Sequence, residues 1–195
     1  MWLFLVTEFM FFGGLFVAYL AYRYWYPAGF AAASHTMNIP LGTVNTAVLL
    51  ASSLTMAMAV HAAREMQRRQ LIMFLGATML LGGVFLVIKT YEYHHKFAEH
   101  LIPFAGLPFH WEGSAESSVQ GVQTFLNLYF LMTGLHAFHM VIGLALLGML
   151  LTMAWRGRIR RHSTLVHNVG LYWHFVDLVW VYLFPFFYLV AARSD

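Results

Sequence analysis

Within the apolar stretch LYWHFVDLVWVYLF, residues 171–184, His174 and Asp177 stand three residues apart, so a helix brings them to one face. At that spacing the carboxyl can fix the imidazole for a proton relay or as the outer shell of a metal ligand. The same pair can instead tie neighbouring helices together. Trp173 and Trp180 flank Asp177 on the same side, and their indole N–H groups suit hydrogen bonds between helices. The segment TGLHAFHMVIG puts His136 and His139 on one face, between Gly134 and Gly143, which permit close helix approach. Such a pair can share one metal or serve two separate neighbours. Glu8 lies alone, with no basic residue near it on its own helix, and reads as a proton-related carboxyl or a structural hydrogen-bonding one. Lys89 and Glu92, near the end of another apolar run, read as an ion pair with the lysine stem snorkelling to the aqueous edge. His94, His95, His100 and His110 follow, either as solvated loop histidines or as a surface metal site.

These groups do not add up to a complete redox or hydrolytic centre. The chain has no cysteine, which excludes covalently attached c-type haem, iron–sulfur clusters, thiolate-bridged copper and disulfides. A dihaem b-type cytochrome needs paired histidines on facing helices, and no second helix carries a matching pair. The clustered histidine boxes of membrane di-iron oxygenases are also missing. No nucleophile–base pair stands out. The expectation is therefore that this chain holds no catalytic residue, no metal and no cofactor of its own. Its basic residues do not interleave with exposed aromatics, so nucleic acid is not an expected partner.

The elements that must position these residues are membrane spans. The 195 residues are 61% hydrophobic and 10% charged, against about 25% charged in an ordinary soluble domain. A span takes about 20 mainly apolar residues. Five stretches qualify, at about 2–25, 41–60, 71–93, 122–155 and 168–192, the fourth long enough to tilt or project. The fold class is thus an all-α membrane protein, a five-helix bundle forming a single integral-membrane domain over 1–195. MWLFLVTEF lacks a basic n-region and a cleavage site and reads as a retained span. Arg64, Arg68 and Arg69 lie between spans two and three; Arg156, Arg158, Arg160 and Arg161 lie between four and five. These are seven of the eleven basic residues, which places both loops and the N-terminus in the cytoplasm and the C-terminus outside. The segments at about 27–40 and 96–120 are then outer loops. The second is acidic, with Glu99, Glu112 and Glu116, and is expected to be irregular around Pro103 and Pro108.

YWHFVDLVW together with TGLHAFHMVIG resembles subunit III of the haem–copper terminal oxidases. So do WLFLVTEFMFFGGLFVAY, VNTAVLLASS with Asn45 and Thr46, and LVIKTYEY ending in Glu92 and Tyr93. The resemblance implies a cofactor-free helical subunit packed directly on subunit I, which holds the haems and copper, alongside subunit II and other oxidase subunits. It implies a role in proton uptake and in protecting the active site during turnover, in a proton-pumping respiratory oxidase of a bacterial inner membrane. By the same resemblance the family's carbodiimide-reactive glutamate falls on Glu8, its histidine pair on His136 and His139, and its His–Asp pair on His174 and Asp177. The mitochondrial-type subunit has seven spans, and this chain corresponds to five of them. The two others form one wall of a lipid cleft, so a phospholipid ligand would need that wall from a neighbour. Many members carry a glutamate six residues before the tryptophan of YWHFVD, where this chain has His167. Five-span forms are similar to subunits of bacterial quinol and cytochrome c oxidases and to a nitric-oxide-reductase accessory protein. The resemblance therefore fixes neither the electron donor nor membership of a respiratory supercomplex. An independent histidine-based metalloenzyme is the remaining alternative.

Overall fold

The computed structural model describes residues 2–98, 119–159 and 164–189. Among them there is no strand; the chain runs through α1 (Trp2–Trp25), α2 (Pro27–Ser34), α3 (Ile39–Arg64), α4 (Arg68–Ala98), α5 (Val119–Trp155) and α6 (Thr164–Tyr188). All but α2 are long and apolar enough to cross a bilayer. Helix is what hydrocarbon demands, because each backbone N–H and C=O must be satisfied within its own segment. Large apolar side chains such as Leu3, Phe9, Val17, Leu54, Val87 and Phe138 point outward, as in a protein solvated by lipid.

Four of the five expected spans begin or end a few residues from the expected limits. One expected outer loop also contains structure. Residues 27–34 form α2, a helix too short to cross the membrane, opened by Pro27 at its first turn. A search for 20-residue apolar runs passes over an eight-residue helix. Its Phe30 is buried, and Gly29 lies so close to Gly121 that a Cβ there would sit 2.8 Å from the Gly121 Cα. The acidic outer segment with His100 and His110, and the loop residues Arg160 and Arg161, lie outside the described residues.

The helix ends show how the sequence stops each span. At the end of α3, Gln67 N–H bonds the Ala62 carbonyl at 2.9 Å and Met66 N–H bonds Ala63 at 3.4 Å. At the end of α5, Arg158 N–H bonds Met153 at 3.0 Å and Gly157 N–H bonds Ala154 at 3.1 Å. Both are Schellman endings, which need one residue in the left-handed region. Gly157 takes that place at φ 67°, and Met66 takes it at φ 57°, where a side chain costs about 1–2 kcal/mol.

The chain divides into two compact units. One comprises Val44–Ile88 and His136–Trp180; the other comprises Trp2–Thr43, Lys89–Leu135 and Val181–Asp195. In the first, Arg68 spans to the C-terminal end of α5, donating to the carbonyls of Ala154 (2.9 Å) and Trp155. Those are carbonyls that a helix end leaves unsatisfied. In the second, an aromatic cluster of Tyr19, Phe30, Phe125 and Phe187 packs edge to face with ring centroids 5.1–6.3 Å apart. The Tyr19 hydroxyl donates to the Phe186 carbonyl.

Candidate functional site

In the first unit the polar residues of α6 meet a row of hydroxyls on α3. Trp173 is fully buried, and its indole N–H donates to the Ser52 hydroxyl at 3.1 Å, which donates in turn to the Thr78 carbonyl at 3.4 Å. The six-membered ring of Trp173 lies on two glycines. A Cβ at Gly82 of α4 would meet it at 2.8 Å, and one at Gly143 of α5 would meet it at 2.8 Å. One indole therefore touches all three other helices of the unit, and only glycine at 82 and 143 leaves room for it.

On the very next residue of α6, His174 Nδ1 and the Ser53 hydroxyl share a hydrogen bond of 2.7 Å. Ser53 also lies beside the Asp177 carboxyl, whose two oxygens are otherwise buried without a hydrogen-bond partner among the described residues. The structure thus ties His174 to a serine of another helix, with the buried Asp177 carboxyl nearby. Trp180 donates its indole N–H to the Thr46 hydroxyl at 3.1 Å. Its ring packs against Phe85 at 4.8 Å and against the His136 imidazole at 5.2 Å. Asn45, beside Thr46, is 1% exposed, and neither of its amide atoms has a hydrogen-bond partner among the described residues.

His139 is half-buried, and its carbonyl accepts the Tyr172 hydroxyl at 3.0 Å. His136 is buried against the rings of Phe85 and Trp180. No group of three or more His, Asp or Glu able to share a metal ion occurs among the described residues.

The second unit holds a different kind of site. Lys89 and Glu92 are not a snorkelling surface pair: they are 4% and 6% exposed, buried inside the unit. The reason is that two tyrosines from other helices reach them. Lys89 Nζ donates to Glu92 Oε2 at 2.8 Å and to the hydroxyls of Tyr129 and Tyr188, each at 3.0 Å. Both hydroxyls then donate to Glu92 Oε1, Tyr129 at 2.9 Å and Tyr188 at 2.6 Å. Lys89 also lies within 5.2–5.6 Å of the Tyr129, Tyr93 and Tyr188 ring centres. Every hydrogen of the ammonium and both carboxylate oxygens are thereby engaged. A buried ion pair needs that saturation if attraction is to offset the cost of dehydrating two charges. Lys96, also buried, donates to the Thr36 carbonyl at 3.2 Å. Glu8 is half-buried on α1, and one of its carboxyl oxygens is enclosed.

Sequence reasoning did not find Tyr129, Tyr188, Ser52 or Ser53. The signal for the tyrosines was available: a phenol within a span must find a polar partner, and Tyr129 lies seven residues before His136, on the same helix face. The serines carry no comparable signal, since small hydroxyls are common wherever helices pack closely.

Comparison with known proteins finds relatives along nearly the whole chain. The family described as cytochrome c oxidase subunit III matches residues 1–102 and 111–192. The cytochrome bo(3) ubiquinol oxidase subunit 3 of Pseudomonas aeruginosa is 32% identical over 192 residues, covering 98% of this chain and 83% of that protein. Cytochrome c oxidase subunit 3 of Synechocystis is 33% identical over 193 residues, covering 96% and 73%. A probable quinol oxidase subunit 3 of Staphylococcus haemolyticus is 27% identical over 191 residues, covering 97% and 87%. With five span-length apolar helices and a match over nearly its full length, this chain is a multi-pass membrane protein belonging to the cytochrome c oxidase subunit III family.

Proposed function

We propose that this chain is the non-catalytic subunit III of a proton-pumping haem–copper respiratory oxidase, packed directly on subunit I in a bacterial inner membrane. Its role is to stabilise subunit I and to support proton uptake while oxygen is reduced. Haems and copper belong to the partner subunits, and the two arginine-bearing loops face the cytoplasm. The observation that carries this reading is how the intramembrane polar groups are used. Lys89 and Glu92 are saturated by Tyr129 and Tyr188, and His174 is held by Ser53, so these side chains fasten helices together rather than converge on a reacting centre. The outward faces of α1, including Phe9, Met10 and Val17, offer apolar surface for a neighbouring subunit or lipid.

The test is to tag the chain, purify it in mild detergent with whatever accompanies it, and compare the wild type with Glu8→Gln. Unchanged haem content with fewer turnovers before inactivation supports the reading. Loss of haem from the Glu8→Gln complex, or stoichiometric iron or copper remaining on the separated chain, overturns it. The co-purifying subunits also identify the electron donor.

A further inference from the structure

Within the unit of Val44–Ile88 and His136–Trp180, a cavity of about 310 Å³ lies between the turn joining α3 to α4 and the last residues of α5. Its floor is apolar and buried, with Ala62 from α3, Leu71 from α4 and Ala154 from α5. Met66, Arg68 and Ile159 stand at its rim. Every lining residue belongs to a terminal turn of a helix or to a connection, and none to the middle of a span.

Two local features shape the rim. Where α3 ends, Met66 holds the left-handed position that glycine would take without strain. Methionine there leaves a flexible apolar side chain, 52% exposed, beside the cavity. The second feature is Arg68, whose Nε and Nη2 donate to the Ala154 carbonyl at 2.9 Å and to the Trp155 carbonyl. Those two bonds complete the end of α5 and fix the guanidinium plane. They leave Nη1, which has no hydrogen-bond partner among the described residues and lies 3.9 Å from where a Cβ at Gly157 would stand. An arginine already immobilised in this way binds a carboxylate at little further cost in side-chain freedom.

The charge around the cavity has one sign. Arg64, Arg69, Arg156 and Arg158 are exposed at the same end, and Glu65 is the one acidic residue beside them. None of these arginines, nor Arg68, is in an ion pair, because Lys89–Glu92 is the one ion pair among the described residues. Basic loops alone would serve to orient the chain in a membrane. Orientation does not call for an apolar hollow beneath a fixed guanidinium. Hollow and charge together match an apolar side chain flanked by carboxylates. A cavity framed by helix ends favours a protein segment arriving from the aqueous side over an acyl chain lying along the spans.

We propose that this cavity is a docking site for an acidic segment of a partner protein. One apolar side chain of that segment fills the hollow, and neighbouring carboxylates meet Arg68 Nη1 and the exposed arginines around it. The inference needs a partner on that side of the membrane and does not depend on what redox chemistry the partner performs.

The experiment uses the complex as purified with its partners, carrying the photo-cross-linker of Met66→p-benzoylphenylalanine, and identifies the adduct by mass spectrometry after irradiation. The expected product joins Met66 to a peptide of a partner chain in which acidic residues flank the cross-linked one. The same probe in Gln70→p-benzoylphenylalanine, exposed and outside the cavity, is expected not to capture that peptide. Adding Arg68→Gln is expected to lower the yield at least about tenfold, the equivalent of one lost charge-assisted hydrogen bond. Ile159→Trp fills the hollow while leaving the guanidinium in place, and it serves if the Arg68→Gln complex fails to assemble; it is expected to abolish the product. Adducts to lipid only, to a second copy of this chain, or to a peptide without acidic residues overturn the proposal. So does the absence of any adduct at Met66, or a yield that Ile159→Trp leaves unchanged.

Discussion

The two compact units solve the same problem, polar groups inside hydrocarbon, by opposite means. Around Trp173 and Trp180 the hydrogen-bonded groups are indole N–H groups, serine and threonine hydroxyls and an imidazole, joined by single hydrogen bonds of 2.7–3.1 Å, while the buried Asp177 carboxyl between the two indoles has no hydrogen-bond partner among the described residues. Around Lys89 the partners are two full charges locked by two phenols, with six hydrogen-bonding contacts among four side chains. A neutral contact that is broken leaves a hydroxyl able to turn to a nearby carbonyl. A charge whose partner is removed has no such recourse. The first arrangement is built from replaceable contacts and close packing; the second is a closed set that loses its balance when any one member goes.

The sharpest way to break this comparison is Lys89→Met. It strands the Glu92 carboxylate inside the unit and is expected to cost about 3–5 kcal/mol, read as thermal inactivation of the purified complex in mild detergent. Lys89→Met/Glu92→Gln removes both charges together and should recover most of that loss. A single variant as stable as the wild type would mean that water reaches the pair.

Whether these features could be read from the sequence divides along the same line. Composition exposes the spans because each needs a long apolar run, and α6 declares itself through His174, Asp177 and two tryptophans in one such run. The burial of Lys89 is hidden, because it depends on Tyr129 and Tyr188, 40 and 99 residues further along the chain. Three-residue spacing predicts the Lys89–Glu92 contact but says nothing about what covers it. In the same way, α6 announces its indoles while the Ser52 and Thr46 hydroxyls that receive them look like ordinary helix-surface residues. Helix α2 is missed because its apolar surface is local and short.

The packing side of the comparison is tested by Gly143→Ala. The new methyl would stand 2.8 Å from the Trp173 ring, and that ring is also pinned by Gly82, so it cannot retreat. The expected cost is about 1–3 kcal/mol in the same assay, whereas Gly148→Ala, whose nearest neighbour is a methionine methyl at 3.7 Å, should be nearly neutral. The smallest effect is expected from Ser53→Ala. It removes the His174 partner for about 0.6 kcal/mol, the usual size of a hydrogen bond between membrane helices. If Ser53→Ala proved as costly as Lys89→Met, the contrast between replaceable and closed networks would fail.

The seat of Trp173 also imposes an order on biogenesis. Its two glycines are on α4 and α5, and its serine is on α3, all synthesised before α6. Until α6 enters the bilayer, those helices share a vacant slot that only acyl chains can fill, and the Ser52 hydroxyl awaits its donor. Insertion of the indole is therefore a late step in assembling this unit. A chain without α6 leaves that seam open, and the completed chain closes it with one side chain.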